Sequence, residues 1–498
     1  MIMKNLFVSL CLATATISFS ASTGTHDVRM STAPDRVRTP LEVGMKRIGT
    51  IAQRSVSEIP GETNWRLGCE VLDRDYVDFE EYKEFVAPLG IKRVRLQGGW
   101  AKCEKVRGQY DFSWLDSQVD YLNSRGIECC IETSYGNPIY NGGGTADLAA
   151  GFPTSEEGLA GWDRWVDALT RHFAGRVRVW LMWNEPDIRA RDGSGKKTPE
   201  MIAAFNVRTA RIVKKNIPDA EIAGLSLASL SPEQFEKCLI ALGEDVKMFR
   251  SFIYHGYTAA PESSYEAVEK LKELCAKYAP HAVMWQGENG CPSEMAHKFA
   301  LKNIPWTEYS QAKWDMRRML GDLGHDVWSS VFTICDFNHT GREINLKGLL
   351  RANEEKEVVA IKRAYYAVQN VVSVFDSSVK RVVDSSWDKG FGTRDRTIVT
   401  YEYVKDSGEP VFVFWKAMSD DKTWARPGDS FETRPMTFRY TGKPLKHPVW
   451  VDLMTGRIYK FPKENQLISE KSIRFVDVPV YDSPCILTER SAIKFRRK

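Results

Sequence analysis

Two short apolar runs in this 498-residue chain end in a glutamate, and both are rich in tryptophan. One reads Val177-Arg-Val-Trp-Leu-Met-Trp183 and opens into Asn184-Glu185-Pro186; the other, Ala282-Val-Met-Trp285-Gln-Gly, opens into Glu288-Asn289-Gly290. A carboxylate at the mouth of an apolar strand is partly stripped of water, which is costly unless something satisfies or uses it. Two of them facing each other can divide the work of breaking a glycosidic bond. One is held protonated for the leaving oxygen, and the other stays ionised to attack the anomeric carbon. Their like charge helps raise the pKa of the acid. Either glutamate alone reads as well as a loop carboxylate paired with an arginine; the pair, each with an adjoining Asn and upstream Trp, is what points to catalysis.

The pair needs a frame. Short apolar runs start near Trp65, Ile91, Ile127, Val177, Ala220, Phe252, Ala282 and Val327. Between them lie stretches of helical spacing: Tyr76 to Leu89, Phe112 to Ser124, Leu159 to Phe173, Pro199 to Asn216, Pro232 to Leu242, Tyr265 to Tyr278, Thr307 to Leu323 and Glu355 to Val374. Strands alternating with helices imply βαβ units and a parallel sheet. Eight units without a glycine-rich phosphate turn favour a closed (β/α)8 TIM barrel over an open doubly wound sheet, here over residues 64–375. In such a barrel function gathers at the C-terminal ends of the strands, and the glutamates end runs four and seven. After Val374, short alternating runs at Thr397 to Val404, Pro410 to Lys416, Met436 to Tyr440, Pro448 to Leu453 and Ile473 to Val480 are separated by turns such as Thr455-Gly456. They predict a C-terminal β-sandwich over 376–498. It either binds carbohydrate or braces the barrel. Its tryptophans, Trp387, Trp415, Trp424 and Trp450, read as sheet core.

Other residues suit sugar recognition. Run three ends Ser134-Tyr135-Gly136-Asn137-Pro138-Ile-Tyr140 and enters a glycine-rich loop of about 20 residues, long for a βα connection. Aromatic faces of Tyr135 and Tyr140 can cover the apolar face of a pyranose while Asn137 bonds hydroxyls; the alternative is a loop packed on the barrel rim. Trp100, after Gln97-Gly-Gly, is available to sugar or caps the barrel mouth. Trp180 and Trp314 fall within element patterns and read as core.

Composition excludes much else. With 69 Lys+Arg against 65 Asp+Glu the formal charge is only +4, which leaves no concentrated basic face for nucleic acid. The longest basic run, Arg496-Arg497-Lys498, reads as a solvated tail. Lys4, the apolar stretch Leu6 to Phe19 and Ser18-Phe19-Ser20 form an export signal over residues 1–20, ahead of a polar lead segment at 21–63. The apolar stretch is too short to span a bilayer, no membrane span follows, and the mature protein is expected to be secreted or periplasmic. Removing the signal takes Cys11 with it, and an odd set of cysteines without C-x-x-C fits neither a disulfide framework nor a zinc site. Cys129-Cys130, adjacent in an apolar run, read as buried hydrophobes on opposite faces. The histidines lack metal-ligand spacing, and no nucleophile elbow, Walker loop or H-E-x-x-H occurs. No metal and no organic cofactor is implied; the partner is a carbohydrate substrate.

Trp183-Asn184-Glu185-Pro186 together with Trp285-Gln-Gly-Glu288-Asn289 resembles the retaining glycoside hydrolases of clan A, the 4/7 (β/α)8 superfamily, over roughly Trp65 to Phe375. The resemblance implies Glu185 as general acid/base, Glu288 as nucleophile and Asn184 as partner of the sugar 2-hydroxyl. Tyr254-His255-Gly256-Tyr257 resembles the strand-six His and Tyr that hold the nucleophile ionised and oriented. Arg95, near the end of run two, resembles the strand-two Arg that supports it, or is a salt-bridge partner inside the barrel. A barrel with a trailing sandwich resembles family 39 of the clan. Many clan members place a Trp at the end of strand eight; here that stretch reads Asp336-Phe337-Asn338-His339, leaving Phe337 or Trp306 for the stacking position. The reading is a retaining glycoside hydrolase acting by double displacement on a poly- or oligosaccharide. Its alternatives are a transglycosylase with the same residues or a non-catalytic carbohydrate-binding protein on a glycosidase-like barrel.

Overall fold

The computed structural model describes residues 36–190, 193, 195–338, 343–388, 397–417 and 430–497. The expected export signal, His26, His339 and Trp424 lie outside the described residues. Eight strands close into a barrel in chain order, every neighbouring pair parallel. They are strand one (Trp65–Gly68), two (Arg93–Gln97), three (Glu128–Glu132), four (Val179–Leu181), five (Glu221–Leu227), six (Phe249–Tyr254), seven (Val283–Gln286) and eight (Trp328–Val331). Helices cover the outside of the sheet, so most strand residues are buried on both faces, which is why the strands read as continuous apolar runs. Cys129 joins the outer core between sheet and helices, whereas Cys130 packs inside with Val179, Leu181, Ala223, Ile253 and Trp285. All nine cysteines of the described residues are buried and free.

Helix starts are fixed locally. Thr198 accepts from the Met201 N–H and Ser231 from the Gln234 N–H, each ahead of a proline in the first turn. Ser155 and Thr307 cap Glu156–Phe173 and Glu308–Gly324 in the same way. The expected helix from Glu355 to Val374 needs correction: it begins at Arg363, and Val358–Ile361 pairs with Leu350–Ala352 as a hairpin.

The C-terminal region is a sandwich of an eight-stranded and a four-stranded sheet. Strand Pro410–Lys416 shows why the larger sheet has two dry faces. Phe412 and Phe414 point into the sandwich core with Phe438 and Phe475, while Val411, Val413 and Trp415 join the barrel's core. Trp415 also donates its indole N–H to Glu262 at 2.6 Å, and Tyr403 donates to the Leu320 carbonyl of the barrel's last long helix. Trp387 and Trp450 are buried in the sandwich. Lys46–Ile51, within the lead segment, is a strand of the larger sheet, between Arg457–Lys460 and Phe495–Arg497. No helix among the described residues is long and apolar enough to cross a membrane.

Candidate active site

Glu185 and Glu288 reach the same cavity, about 390 Å³, at the C-terminal ends of the barrel strands. One carboxylate oxygen of each, with a ring nitrogen of His255, forms a triangle no more than 4.8 Å on a side. Their side chains keep 19% and 15% exposure, enough to meet a ligand. Glu185 sits just past strand four with φ 48°, a left-handed conformation that non-glycine residues adopt at a cost of about 1–3 kcal/mol. Its N–H bonds the Ser226 carbonyl at 3.0 Å, fixing the turn that aims the carboxylate inward.

The two glutamates have different surroundings. Glu288 accepts from Arg95 Nη1 and from the Tyr257 hydroxyl, both at 2.9 Å. Burial pushes its pKa up, but His255 and Arg95, with the bonds from Arg95 and Tyr257, more than offset that and hold it below the usual carboxylate value. Glu185 instead pairs with His255 Nδ1 at 2.8 Å. His255 thus meets both carboxylates: its ring bonds Glu185 and stands 3.7 Å from Glu288, whose charged form it favours. Burial lowers the pKa of His255, but the charge of Glu288 and the contact with Glu185 carry it above its ordinary value. Asn289 and Gln286 both donate to the His255 carbonyl, tying strand seven to the turn that carries the ring.

Arg95 organises the floor. Beyond Glu288, its guanidinium meets Glu132 at 2.7 Å, Glu70 at 3.1 Å and Asn184 Oδ1 at 2.6 Å. The Asn184 amide in turn donates to the Tyr135 hydroxyl at 2.7 Å. Asn184, Tyr135, Tyr257 and Phe337 all line the cavity, whereas Trp306 packs away from it with Cys291 and Trp314.

Two candidates are placed elsewhere. Trp100 is fully buried, stacked between Tyr140 and Trp165, and donates to Glu104 at 2.6 Å. The Asn137 amide donates to the Glu104 carbonyl and the Tyr140 hydroxyl to the Glu104 carboxylate. A polar knot around Glu104 thus holds the long third loop, and these side chains spend their hydrogen bonds there rather than on the cavity.

Other lining residues were not anticipated. Glu70, two residues past strand one, is buried with neither oxygen hydrogen-bonded. A Cβ on Gly68 would collide with its carboxylate, so the glycine makes room for it. Burial pushes the Glu70 pKa up to about 8 against the pull of Arg95. A carboxylate at the end of an apolar run was the signal that found Glu185 and Glu288, and it was equally present here. Arg74 lies over the Tyr135 ring with its Nη1 buried and unpartnered, and Lys347 is buried with its pKa pushed down by desolvation to about 8. Arg74 ends a single 3-10 turn and Lys347 lies in a turn, both too short for periodicity to carry a signal.

Glu185, His255 and Glu288 are near enough to share a metal ion. Arg95 already supplies the positive charge on Glu288, and His255 and Glu185 are bonded to each other.

Comparison with known proteins agrees with this architecture. A family model for beta-galactosidases, glycoside hydrolase family 42, matches residues 75–153. Beta-galactosidase BgaA of Clostridium cellulovorans is 36% identical over 61 residues, 12% of this chain and 9% of that protein's length. A family 39 glycoside hydrolase from the gut symbiont Bacteroides cellulosilyticus WH2 superposes with a TM-score of 0.63 at 16% identity, covering 87% of this chain and 83% of its own. The fold, a closed eight-stranded parallel barrel with a trailing β-sandwich, is one that solved glycoside hydrolases share. The resemblance to family 39 within the clan is supported. A monomeric beta-xylosidase from Caulobacter crescentus CB15 shares the clan A architecture with a TM-score of 0.57 at 16% identity, over 89% of this chain and 98% of that one.

Proposed function

We propose that this chain is an exported glycoside hydrolase that cleaves a poly- or oligosaccharide by double displacement with retention at the anomeric carbon. The observation that carries the reading is the gap between the carboxylates. Retaining enzymes hold the pair about 5–5.5 Å apart, and inverting enzymes leave about 6.5–9.5 Å for a water. Oxygens of Glu185 and Glu288 within 4.8 Å of each other leave no such room.

The unequal surroundings support the division of roles. Glu288, kept ionised by His255, Arg95 and Tyr257, attacks the anomeric carbon as the bond to the leaving oxygen breaks. Glu185 gives its proton to that oxygen. Water then enters, Glu185 takes its proton, and the hydroxyl displaces Glu288 from the sugar, restoring both groups. His255, bonded to Glu185, orients that carboxyl through both steps. Asn184, held by Arg95 and Tyr135, offers its amide to the sugar next to the reacting carbon. The reading of export rests on the N-terminal signal, and the nine unpaired cysteines of the described residues are protected by burial.

The test is the stereochemistry of the first product. Proton NMR during hydrolysis of an aryl glycoside should show the substrate's anomer appearing first and then mutarotating. The opposite anomer would refute double displacement, and glycoside turnover surviving Glu288→Gln would refute the assignment of the nucleophile.

A further inference from the structure

The catalytic reading leaves the basic C-terminus without a task. Phe495–Arg497 forms the edge strand of the larger sandwich sheet beside Lys46–Ile51. A groove of about 820 Å³ opens there, and five of its lining residues are cations: Lys46, Arg47, Arg490, Lys494 and Arg497. No carboxylate is among its described lining residues. The nearby acids are engaged: Glu489 accepts backbone N–H bonds from Lys446, His447 and Arg490, and Glu58 is bonded to Ser55. Half-buried Ile48 and Phe495 give the groove an apolar strip between the charges.

Cations along a sheet edge are ordinary protection against edge-to-edge pairing. That purpose needs no concave surface, no aromatic ring and no contribution from Arg490, which lies outside both strands. We infer that this groove is a second binding site, on the sandwich, for an anionic polysaccharide whose carboxylates meet the arginines and lysines while a pyranose ring lies on Phe495. Choosing a polysaccharide over other polyanions rests on the glycosidase reading. Nucleic acid would call for a broad basic face, and the net charge of +4 leaves little outside this groove.

The experiment measures binding with the full chain carrying Glu288→Gln, so that no polymer is cut. Polygalacturonate should bind and neutral xylan should not, with affinity falling steeply as salt rises. Lys46→Glu/Lys494→Glu/Arg497→Glu should weaken polygalacturonate binding at least tenfold. In the chain with Glu288 unchanged, the same triple change should leave the melting temperature and turnover of small aryl glycosides unaltered. Lys494→Gln/Arg497→Gln, at exposed positions, provides the comparison if charge reversal disturbs folding. No binding, binding insensitive to salt and to both variants, or equal binding of a single-stranded oligonucleotide or phosphatidylglycerol vesicles would overturn the proposal. Polygalacturonate binding by a protein that hydrolyses no glycoside would sink the catalytic reading and leave this site standing.

Discussion

Removing the charge of Arg95 is the sharpest probe of how the site works. Its guanidinium is buried and touches three carboxylates, with Glu288 2.9 Å from Nη1. At an effective dielectric near 20, unit charges about 4 Å apart attract by about 4 kcal/mol, or about 3 pKa units for the partner carboxyl. Tyr257 and His255 remain after Arg95→Met, and water entering the vacated space screens part of the loss. The acid limb of the kcat/KM profile should therefore move upward by about 2 pH units. Arg95→Lys, which keeps the charge but cannot span three carboxylates, should move it less. The assay is the pH dependence of an aryl glycoside's hydrolysis, with melting temperature followed in parallel, because Glu132 loses its buried partner at a cost of about 3–5 kcal/mol. A uniform fall in rate with the acid limb unmoved would show that Arg95 does not hold Glu288 ionised.

Glu185→Ala should lose turnover on poor leaving groups but keep it on activated ones, with azide restoring rate and yielding a glycosyl azide of retained configuration; an inverted azide would reverse the two glutamates' roles. Tyr257→Phe removes a hydrogen bond to a charged group worth about 1.5–3 kcal/mol, so kcat/KM should fall about 10- to 100-fold with little change in melting temperature. Glu70, with its folded pKa pushed up to about 8 from an ordinary 4.5, stays protonated in the fold while the unfolded chain has released that proton. Its contribution is fully present below about pH 4.5 and is lost as pH rises through about 8, so Glu70→Gln should flatten the decline of melting temperature across that window. Trp100→Ala should cost about 3–5 kcal/mol of stability and leave KM for a small aryl glycoside nearly unchanged; a raised KM at full stability would return that ring to the sugar.

The barrel was legible because its strands are dry on both faces and its helices start at caps written in the sequence, such as Thr198-Pro199 and Ser231-Pro232. The stretch Glu354-Glu355-Lys356-Glu357 misled because good helix formers occupy a hairpin turn, where pairing of Val358–Ile361 with Leu350–Ala352 overrides propensity. Lys46–Ile51 was hidden by its charges and by partners far along the chain. At the site, glutamates at strand ends could be read, whereas the side Trp100 faces is decided by Tyr140, Trp165 and Glu104, which only the folded loop brings together. The bond of His255 to Glu185 rather than Glu288 depends on ångström-scale placement that no spacing rule contains.

The strand Lys46–Ile51, seated between two made far later, makes the sandwich a clasp that closes only once residues 457–497 have been made. Lys46–Ile51 is made roughly 400 residues before Arg457–Lys460, and at about 5–20 residues per second it waits on the order of half a minute with both edges bare. The barrel has all its own strands well before then. A chain broken off before residue 457 would carry all eight barrel strands and an unpaired sheet edge, which is the kind of surface that proteases and chaperones grip. The larger sandwich sheet, which packs against the barrel's core, is thus the last part of the fold to find its partners.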